Sequence, residues 1–358
     1  MEIKIGVEMR DEYKRLEVTK GAMKFVRDFM LIKPGENVVV NYDTLIDERV
    51  VHAVAGAIYA LGATPVVIYH PTAEKFYDNP PAPIAGAIAQ CDCWIEMAYA
   101  PFMHSDAYRV AVDKNGARYI CATGLDAEML TNLIGKVDID KVIELGEYFK
   151  AKLEATKHIR VTSANGTDIS GEMGGRKVRH SGIKASKKGY PVMLPGQTSW
   201  SPIEETIEGT LVFDGAIFPP EEIGGPMKNP VILTFKEGRL TKVEGEGEEA
   251  RIYRDWLYGF NDPNMLRLAH WSQGFNSGVP KITGRIVEDE RVFGSMEFGI
   301  GSQGITVGGA HWNAASHTDG ILLKPTIELD GVLLEKDGIY VDEGARAICK
   351  QLGIADYQ

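Results

Sequence analysis

The sequence changes its pattern near residue 157, and that change sets which folds the chain can form. Before it, short apolar segments rich in β-branched residues alternate with helical segments; after it, strand segments follow one another across tight turns. Alternating strands and helices are typical of a parallel sheet covered by helices, whereas consecutive strands are typical of antiparallel sheets. We therefore predict two domains, an α/β domain over residues 1–156 and a β-rich domain over residues 157–358.

The predicted strands of the first domain are ENVVVNYD, TPVVIYH, CWIEMAY and ARYICATG. The predicted helices between and after them are DERVVHAVAGAIYALGA, PAPIAGAIAQ, HSDAYRVAVDKNG and DIDKVIELGEYFKAKLEATK. Neither a GxGxxG loop nor a Walker A motif follows the first strand. A backbone without such a glycine-rich turn does not approach a pyrophosphate closely, so we do not expect a dinucleotide site.

The second domain is predicted to consist mainly of antiparallel hairpins. Its strand segments are HIRVTSANGTDISGE, EGTLVFDGAIF, NPVILTFKEGRLTKVEG and KPTIELDGVLLEKDGIYV, and one helix, GEEARIYRDWLYGF, lies among them. Glu237-Gly238, Asp330-Gly331 and Asp337-Gly338 are two-residue sequences of the kind that close hairpins.

Charge and hydropathy exclude several classes of partner. The 39 basic and 50 acidic residues give a net charge of −11, which disfavours nucleic acid and anionic membranes because both bind concentrated basic surfaces. No run approaches the ~20 apolar residues that span a bilayer, and the N-terminus lacks the apolar segment of a secretory signal. We therefore expect a cytoplasmic protein whose cysteines, Cys91, Cys93, Cys121 and Cys349, are reduced thiols.

A possible metal site is indicated by His317 and Asp319, two residues apart in SHTDG, immediately before the predicted strand ILLKPTIEL. In extended backbone such residues project to the same side, so an imidazole and a carboxylate can meet on one cation. His270 in MLRLAHWSQGFN, which we interpret as the start of a loop after a helix, is the candidate third ligand. Two imidazoles and one carboxylate leave three positions open on an octahedral ion, an arrangement that suits iron(II). The alternative is that these residues form a surface hydrogen-bonded pair and a structural histidine.

Two further histidines are candidates for chemistry. His104 follows the strand CWIEMAY, and ligands of open α/β sheets bind at the carboxyl ends of strands. There it could act as a general base toward a ring hydroxyl, or it could simply precede a helix N-terminus. His311 is either a hydrogen-bonding partner of a ligand or an exposed side chain.

Segments of the second domain resemble metallo-exopeptidases of the aminopeptidase T type. The similar segments are EGTLVFDGAIFPP, VILTFKEGRLTKVEGEGEEARIYRDWL, EDERVFGSMEFGIGSQ and HTDGILLKPTIELDG. The resemblance implies a β-rich domain of that type beside a flavodoxin-like parallel sheet. It also reveals departures: Gln197 and His270 stand where these peptidases carry metal-binding glutamates, and Glu297 replaces a histidine. These changes argue against a two-metal hydrolase.

The chain resembles a second family on the same scaffold, the 2,5-dihydroxypyridine 5,6-dioxygenases. The matching segments are HPTA at His70, MHS at His104, FNDP followed by AHWSQG, and HTD at His317. The resemblance implies that His270, His317 and Asp319 hold Fe(II) and that His104 is a catalytic base. Glu297 could orient His270 or a water molecule beside the iron.

The loop GEMGGRKVRHSGIKASKKGYPVML departs from the family's substrate-contacting residues. The candidate substrate-binding residues are Arg176, Arg179 and His180 of this loop, together with Gln197. A guanidinium in the loop could bind an anionic ring. The alternative is that the loop is an ordinary basic surface.

The function that this resemblance implies is extradiol-type ring cleavage, in which dioxygen reacts with a hydroxylated pyridine or a related aromatic ring. The alternatives are a metal-dependent aminopeptidase and a non-catalytic small-molecule binding protein. The resemblance also implies a homo-oligomer, either a dimer or a hexamer, and gives no reason to expect a nucleic-acid or membrane partner.

Overall fold

The computed structural model describes residues 13–75 and 77–358, which form two compact units. The first comprises the described residues up to Lys136 together with Ile183–Leu194, and the second comprises Val137–Gly182 and Pro195–Gln358. The first unit contains, in chain order, α1 (Arg15–Lys24), β1 (Asn37–Asp43), α2 (Glu48–Ala60), β2 (Thr64–His70), α3 (Ala82–Ile88), β3 (Cys93–Glu96), α4 (Asp106–Tyr108), β4 (Arg118–Cys121), α5 (Ala127–Leu130) and, after the return of the chain, β7 (Pro191–Val192). Helices α1, α4 and α5 each continue into a π-helical segment, Phe25–Phe29, Arg109–Lys114 and Thr131–Gly135 respectively.

The first unit is built on a parallel sheet, as the alternating pattern predicts. Its strand order is β2-β1-β3-β4-β7, and every neighbouring pair is parallel. Strand β1 is buried from its second residue to its last, which is typical of a strand covered by helices on both faces. With β7 counted fifth, the order equals that of flavodoxin-like sheets.

The second unit contains the remaining elements. They are α6 (Ile139–Ala155), β5 (His158–Thr162), β6 (Asp168–Glu172), β8 (Gln197–Trp200), β9 (Glu208–Phe213), β10 (Ile217–Phe218), β11 (Val231–Lys236), β12 (Arg239–Glu244), α7 (Glu248–Gly259), β13 (Leu268–Gly274), α8 (Ile286–Asp289), β14 (Ser295–Gln303), β15 (Trp312–Leu323), β16 (Thr326–Leu329), β17 (Val332–Lys336), β18 (Ile339–Tyr340) and α9 (Glu343–Gln351). Short 3-10 segments occur at Glu204–Thr206, Pro263–Leu266, Ile305–Val307 and Ala355–Tyr357.

The strands of the second unit form two sheets. One has the order β10-β15-β14-β13-β8 and the other β12-β11-β9-β6-β5-β16-β17-β18, and neighbouring strands pair antiparallel. The three predicted hairpin turns are present. Both residues of each turn have positive φ, 50° and 69°, 51° and 79°, and 51° and 82° in chain order, which is the backbone that a type I′ turn requires.

The boundary between the units lies at Lys136 and not at residue 156. Helix α6 belongs to the second unit because its apolar face packs there. The Phe149 ring lies 4.8 Å from that of Tyr340 and 5.3 Å from that of Phe275. The pattern of the sequence placed α6 with the other helices because its amphipathic period does not reveal which core its apolar face joins.

Among the described residues, no helix is both long enough and apolar enough to cross a bilayer.

Candidate metal centre

The candidate ligands lie on two strands, β13 and β15, of the antiparallel sheet β10-β15-β14-β13-β8. His270 belongs to β13, and His317 and Asp319 belong to β15 on the far side of β14. In the strand register, Gly299 of β14 lies opposite both His270 and Asp319, and Gly301 lies opposite His317. Because alternate residues of a strand share a face, the three ligand side chains project from the same face of the sheet.

Two local predictions about this region are wrong. His270 does not begin a loop; it lies within β13, just after a bulge between Leu268 and His270. Likewise β15 begins at Trp312, so His317 lies inside a long strand and not before one. The glycines and small residues around both histidines look like loop sequence, but here they allow strands and side chains to approach closely.

His270, His317 and Asp319 are close enough to share one ion. One ligand atom from each lies within 4.8 Å of the other two. Asp319 Oδ1 is 2.9 Å from His317 Nε2 and 3.7 Å from His270 Nε2. The two imidazoles are stacked, with ring centroids 5.2 Å apart. Their side chains are 11% and 33% exposed, and that of Asp319 is 18% exposed, so the cluster can be reached by a small molecule.

Gly299 makes room for the two imidazoles. A Cβ atom at this position would lie 2.2 Å from Cε1 of His270 and 2.7 Å from Cε1 of His317, far inside van der Waals contact. Any other residue would push both rings away, so a glycine is required for the rings to lie over β14.

The protonation of His317 is set by its neighbours. Its Nδ1 lies 2.8 Å from the Ser302 carbonyl oxygen, so Nδ1–H donates there and Nε2 is left to face Asp319. Burial lowers the pKa of His317, but the charge of Asp319 and the hydrogen bond to it outweigh burial and raise the pKa to about 9. A metal ion at Nε2 would displace this proton, as ligation by imidazole requires.

Three carboxylates give the centre an excess of negative charge. Burial raises the pKa of Asp319 and of Glu290, and the negative charge of Glu297 raises both further. Burial also opposes the ionisation of Glu297, but the neighbouring His270 lowers its pKa below the ordinary value. Neighbouring carboxyl groups disfavour one another's ionised forms, and a bound divalent cation stabilises those ionised forms. The donor set and its charge therefore fit a divalent metal.

Glu297 lies beside the ligands and is almost completely buried. Its Oε1 is 2.9 Å from His270 Nε2, yet it has no hydrogen-bond partner of acceptable geometry. Its Oε2 accepts a hydrogen bond from Gln197 Nε2 at 3.1 Å. Gln197 thus holds the carboxylate next to His270, and the second carboxylate oxygen is buried beside that imidazole.

Arg179 is linked by hydrogen bonds to the face of the sheet that carries the three candidate ligands. Its Nη2 donates to Ser199 Oγ at 2.9 Å, and Ser199 Oγ lies 2.9 Å from Ser272 Oγ. Ser272 lies opposite Glu297 in the strand register. Burial lowers the pKa of Arg179, and the negative charges of Glu297 and Glu290 oppose that shift, so the guanidinium lies within the field of the metal centre.

The other candidates lie elsewhere in the second unit. Arg176 forms a bidentate ion pair with Glu204, with nitrogen–oxygen distances of 2.9 and 2.6 Å. The His180 ring is buried, and its Nδ1 lies 2.9 Å from Oε1 of Glu147 on α6. His311 is exposed, and its Nδ1 donates to the Gln303 carbonyl. The structure gives these three side chains local structural partners and does not bring them to the three ligands.

His104 lies in the first unit, in the loop between β3 and α4. Its φ is 70°, an uncommon conformation for a residue with a side chain. Its ring lies 5.5 Å from that of Tyr77 and 6.0 Å from that of Tyr108. Burial against these rings, and then the positive charge of Arg109, lower the pKa of His104, so the imidazole is neutral near pH 7 and able to accept a proton.

Sequence reasoning missed Gly299 and Glu290. Gly299 could have been found because GSMEFGIGSQ alternates glycine with larger residues at the period of a strand. Glu290 follows a short helix in a charged segment, EDERV, and nothing in that pattern distinguishes it from a surface acid.

A family model described as 2,5-dihydroxypyridine 5,6-dioxygenase matches residues 22–342. The 2,5-dihydroxypyridine dioxygenase of Pseudomonas putida KT2440 has a similar structure, with a TM-score of 0.75 at 20% identity over 92% of this chain and 99% of that one. Wild-type AmpT from Thermus thermophilus is also similar, with a TM-score of 0.64 at 16% identity over 92% and 100% of the two chains. No curated protein sequence matches the chain.

Proposed function

The chain belongs to the 2,5-dihydroxypyridine 5,6-dioxygenase family, and from this premise we propose that it opens a hydroxylated pyridine ring at an iron(II) ion held by His270, His317 and Asp319. Membership makes it a dioxygenase. The observation that carries the rest of the proposal is the cluster of two imidazoles and one carboxylate. That donor set leaves open positions on one metal ion and is typical of non-haem iron oxygenases.

Iron bound at this cluster would supply open coordination positions and the redox chemistry by which dioxygen reacts with an aromatic ring. The protein's own groups prepare the site. The Ser302 carbonyl fixes the tautomer of His317, and Gln197 holds Glu297 beside His270. Hydrogen bonds of this kind orient the ligands and keep them basic. The buried carboxylates offset the charge of the cation.

Arg179 is proposed to orient the ring. Its guanidinium is tied to Ser199 and, through that hydroxyl, to Ser272 on the face of the sheet that carries the ligands. A fixed guanidinium pairs well with an oxyanion or carboxylate on a planar substrate. Arg176, His180 and Gln197 are better explained by their contacts with Glu204, Glu147 and Glu297.

His104 is proposed as the general base that removes the proton of a ring hydroxyl. Its lowered pKa keeps the imidazole unprotonated at neutral pH, where a base must be free to accept. Loss of that proton raises the electron density of the ring, which favours reaction with dioxygen.

A peptidase is disfavoured by the same residues. Among residues 13–75 and 77–358, one group of at least three metal-binding side chains is found, and it contains a single carboxylate. A two-metal hydrolase needs ligands for a second dication, and a neutral amide, Gln197, is hydrogen-bonded to Glu297 where a further carboxylate would help.

The proposal is tested by loading the protein with Fe(II) without air and measuring oxygen uptake on 2,5-dihydroxypyridine. We expect about one iron per chain and steady uptake, and we expect His317→Ala and Asp319→Ala to lose both. His52→Ala, which alters an exposed histidine of α2, is the matched control and should behave like the unaltered protein. Two metals per chain, with peptide hydrolysis and no oxygen uptake on any hydroxylated ring, would refute the proposal.

We propose that the protein acts in the cytoplasm as a homo-oligomer. All four cysteines are free, which suits a reducing compartment. Strand β2 lies at the edge of its sheet, and its Val66, Val67 and Tyr69 are exposed; apolar side chains on an edge strand favour association. Sedimentation analysis tests this, since a monomer would show a mass of 39.3 kDa.

A further inference from the structure

Two buried carboxylates accept hydrogen bonds from the loop that carries His104. We call residues 97–105 the His104 loop; it connects β3 to α4 at the carboxyl edge of the parallel sheet. Asp43 ends β1 and Glu96 ends β3, so the two carboxylates come from adjacent strands of the sheet. Both side chains are completely buried.

Each carboxylate accepts at least one hydrogen bond from a backbone N–H group of the loop. Asp43 Oδ2 accepts from the Ala100 N–H at 3.2 Å, and its Oδ1 accepts from Leu45 N–H at 3.1 Å. Glu96 Oε1 accepts from the Phe102 N–H at 2.7 Å, and the Met103 N–H also interacts with this carboxylate. Charged acceptors form stronger hydrogen bonds with backbone N–H groups than neutral acceptors do.

The Glu96 side chain is itself fixed. The Tyr119 hydroxyl donates to Oε2, so Oε1 is left to face the loop. Tyr119 lies in the core of the unit, with its ring 4.7 Å from that of Trp94. Burial raises the pKa of Glu96 to about 7, and the hydrogen bonds from Tyr119 and Phe102 oppose that shift.

His104 is constrained on its other side as well. Ser105 caps α4 by accepting the Tyr108 N–H at 3.1 Å, and the Ser105 N–H donates to the Phe102 carbonyl at 3.1 Å. His104 therefore lies between a carboxylate-anchored segment and a capped helix, in a left-handed conformation of φ 70°. A strained conformation of this kind persists only where the surroundings fix it from both sides.

Nothing in the role of His104 as a base accounts for two buried carboxylates beneath its loop. We propose that Asp43 and Glu96 are positioning residues, which hold His104 in its left-handed conformation against Tyr77 and Tyr108 by accepting the N–H groups of the His104 loop. They act through His104 and not on the substrate. The inference rests on the proposed role of His104 in the proposed function, and its test includes a readout that does not need activity.

The test compares Glu96→Leu, which removes the acceptors, with Glu96→Gln, which retains one. In iron-loaded Glu96→Leu we expect kcat for oxygen uptake to fall about 10- to 100-fold, because displacement of a catalytic group by ~1 Å has an effect of that order, with iron content unchanged. The pKa of His104, followed by NMR of labelled histidine, should rise toward its ordinary value as the ring leaves its aromatic surroundings. Glu96→Gln should restore most of the rate and the lowered pKa.

A double-variant cycle separates positioning from general damage. In a His104→Ala background, Glu96→Leu should cause no further loss, because residues that act as one unit are not additive. Asp92→Leu is the matched control. Asp92 also accepts a backbone N–H, that of Asn37 at 2.8 Å, but at the opposite end of the same strands, so both rate and pKa should be unchanged.

Either of two results would overturn the inference: an unchanged His104 pKa in folded Glu96→Leu, or losses that multiply in the double variant. Asp43→Asn provides a second variant that keeps the shape of the side chain and loses one acceptor, and it should shift the His104 pKa in the same direction; no shift there contradicts the inference too. If the unaltered iron-loaded protein takes up no oxygen, the proposed function fails, whereas the pKa comparison still decides whether the carboxylates position His104.

Discussion

Gly299 is the residue on which the geometry of the metal centre depends most, although it binds nothing itself. It lies opposite His270 and Asp319 in the register of the sheet, and the two imidazoles occupy the space that its side chain would fill. The cluster of His270, His317 and Asp319 was expected from the residue types, the His-x-Asp spacing and the family resemblance. Gly299 was not, since its role exists only once three strands are paired.

We therefore expect Gly299→Ala to weaken metal binding and leave the fold intact. The added methyl would contact both imidazoles, and disturbances around ligands typically lower metal affinity by about 10- to 100-fold. Iron affinity measured by competition with a chelator, together with circular dichroism, tests this. Gly259→Ala is the control, because a Cβ there meets nothing within 4 Å; equal affinities in the two variants would contradict the expectation.

The strands and helices were largely predictable, and the parts that were not have a common cause. Four of the five strands of the parallel sheet and the three hairpin turns follow from local pattern and turn chemistry. The prediction failed for His270, because glycine, tryptophan and serine around it resemble a loop although they form β13. Helix α6 was assigned to the wrong unit for a similar reason, since local pattern does not specify the distant residues, such as Phe275 and Tyr340, on which it packs.

One contact between the two antiparallel sheets predicts a dependence of stability on pH. Glu335 of β17 is completely buried, accepts a hydrogen bond from Gln273 of β13 at 3.0 Å, and keeps Oε1 without a hydrogen-bond partner. Burial raises the pKa of Glu335 to about 8 from an ordinary 4.5. The folded state therefore retains a proton that the unfolded state has lost between these values.

Because the pKa of Glu335 is higher in the folded state than in the unfolded state, its contribution to the free energy of unfolding is complete below pH about 4.5. That contribution is lost as the pH rises to about 8. The slope is at most about 1.4 kcal/mol per pH unit for one group. Glu335→Gln introduces a neutral side chain of the same shape. In urea unfolding measured from pH 4.5 to 8, this variant should lose the part of the decrease in the free energy of unfolding that Glu335 causes. Glu244→Gln, on the exposed strand β12, should not; identical profiles for both variants would count against a protonated Glu335.

At the scale of the whole molecule, the fold is one that more than one kind of protein has. The chain has structural similarity both to a dioxygenase and to AmpT, so the fold by itself does not decide the reaction. The sequence predicted a parallel α/β part and an antiparallel β-rich part because each has its own periodicity. It predicted the reaction through the resemblance to the dioxygenase family, which the segments around His104, His270 and His317 carry.

The central claim is that dioxygen itself is inserted into an aromatic ring at this one metal site. The most direct test is to incubate 2,5-dihydroxypyridine with the iron-loaded protein under 18O2 and to measure the mass of the ring-opened product by mass spectrometry. Our account predicts that both labelled atoms enter the product, and that His270→Ala forms none. A product whose new oxygen comes only from unlabelled water would contradict the account, because it would show a hydrolase on the same fold.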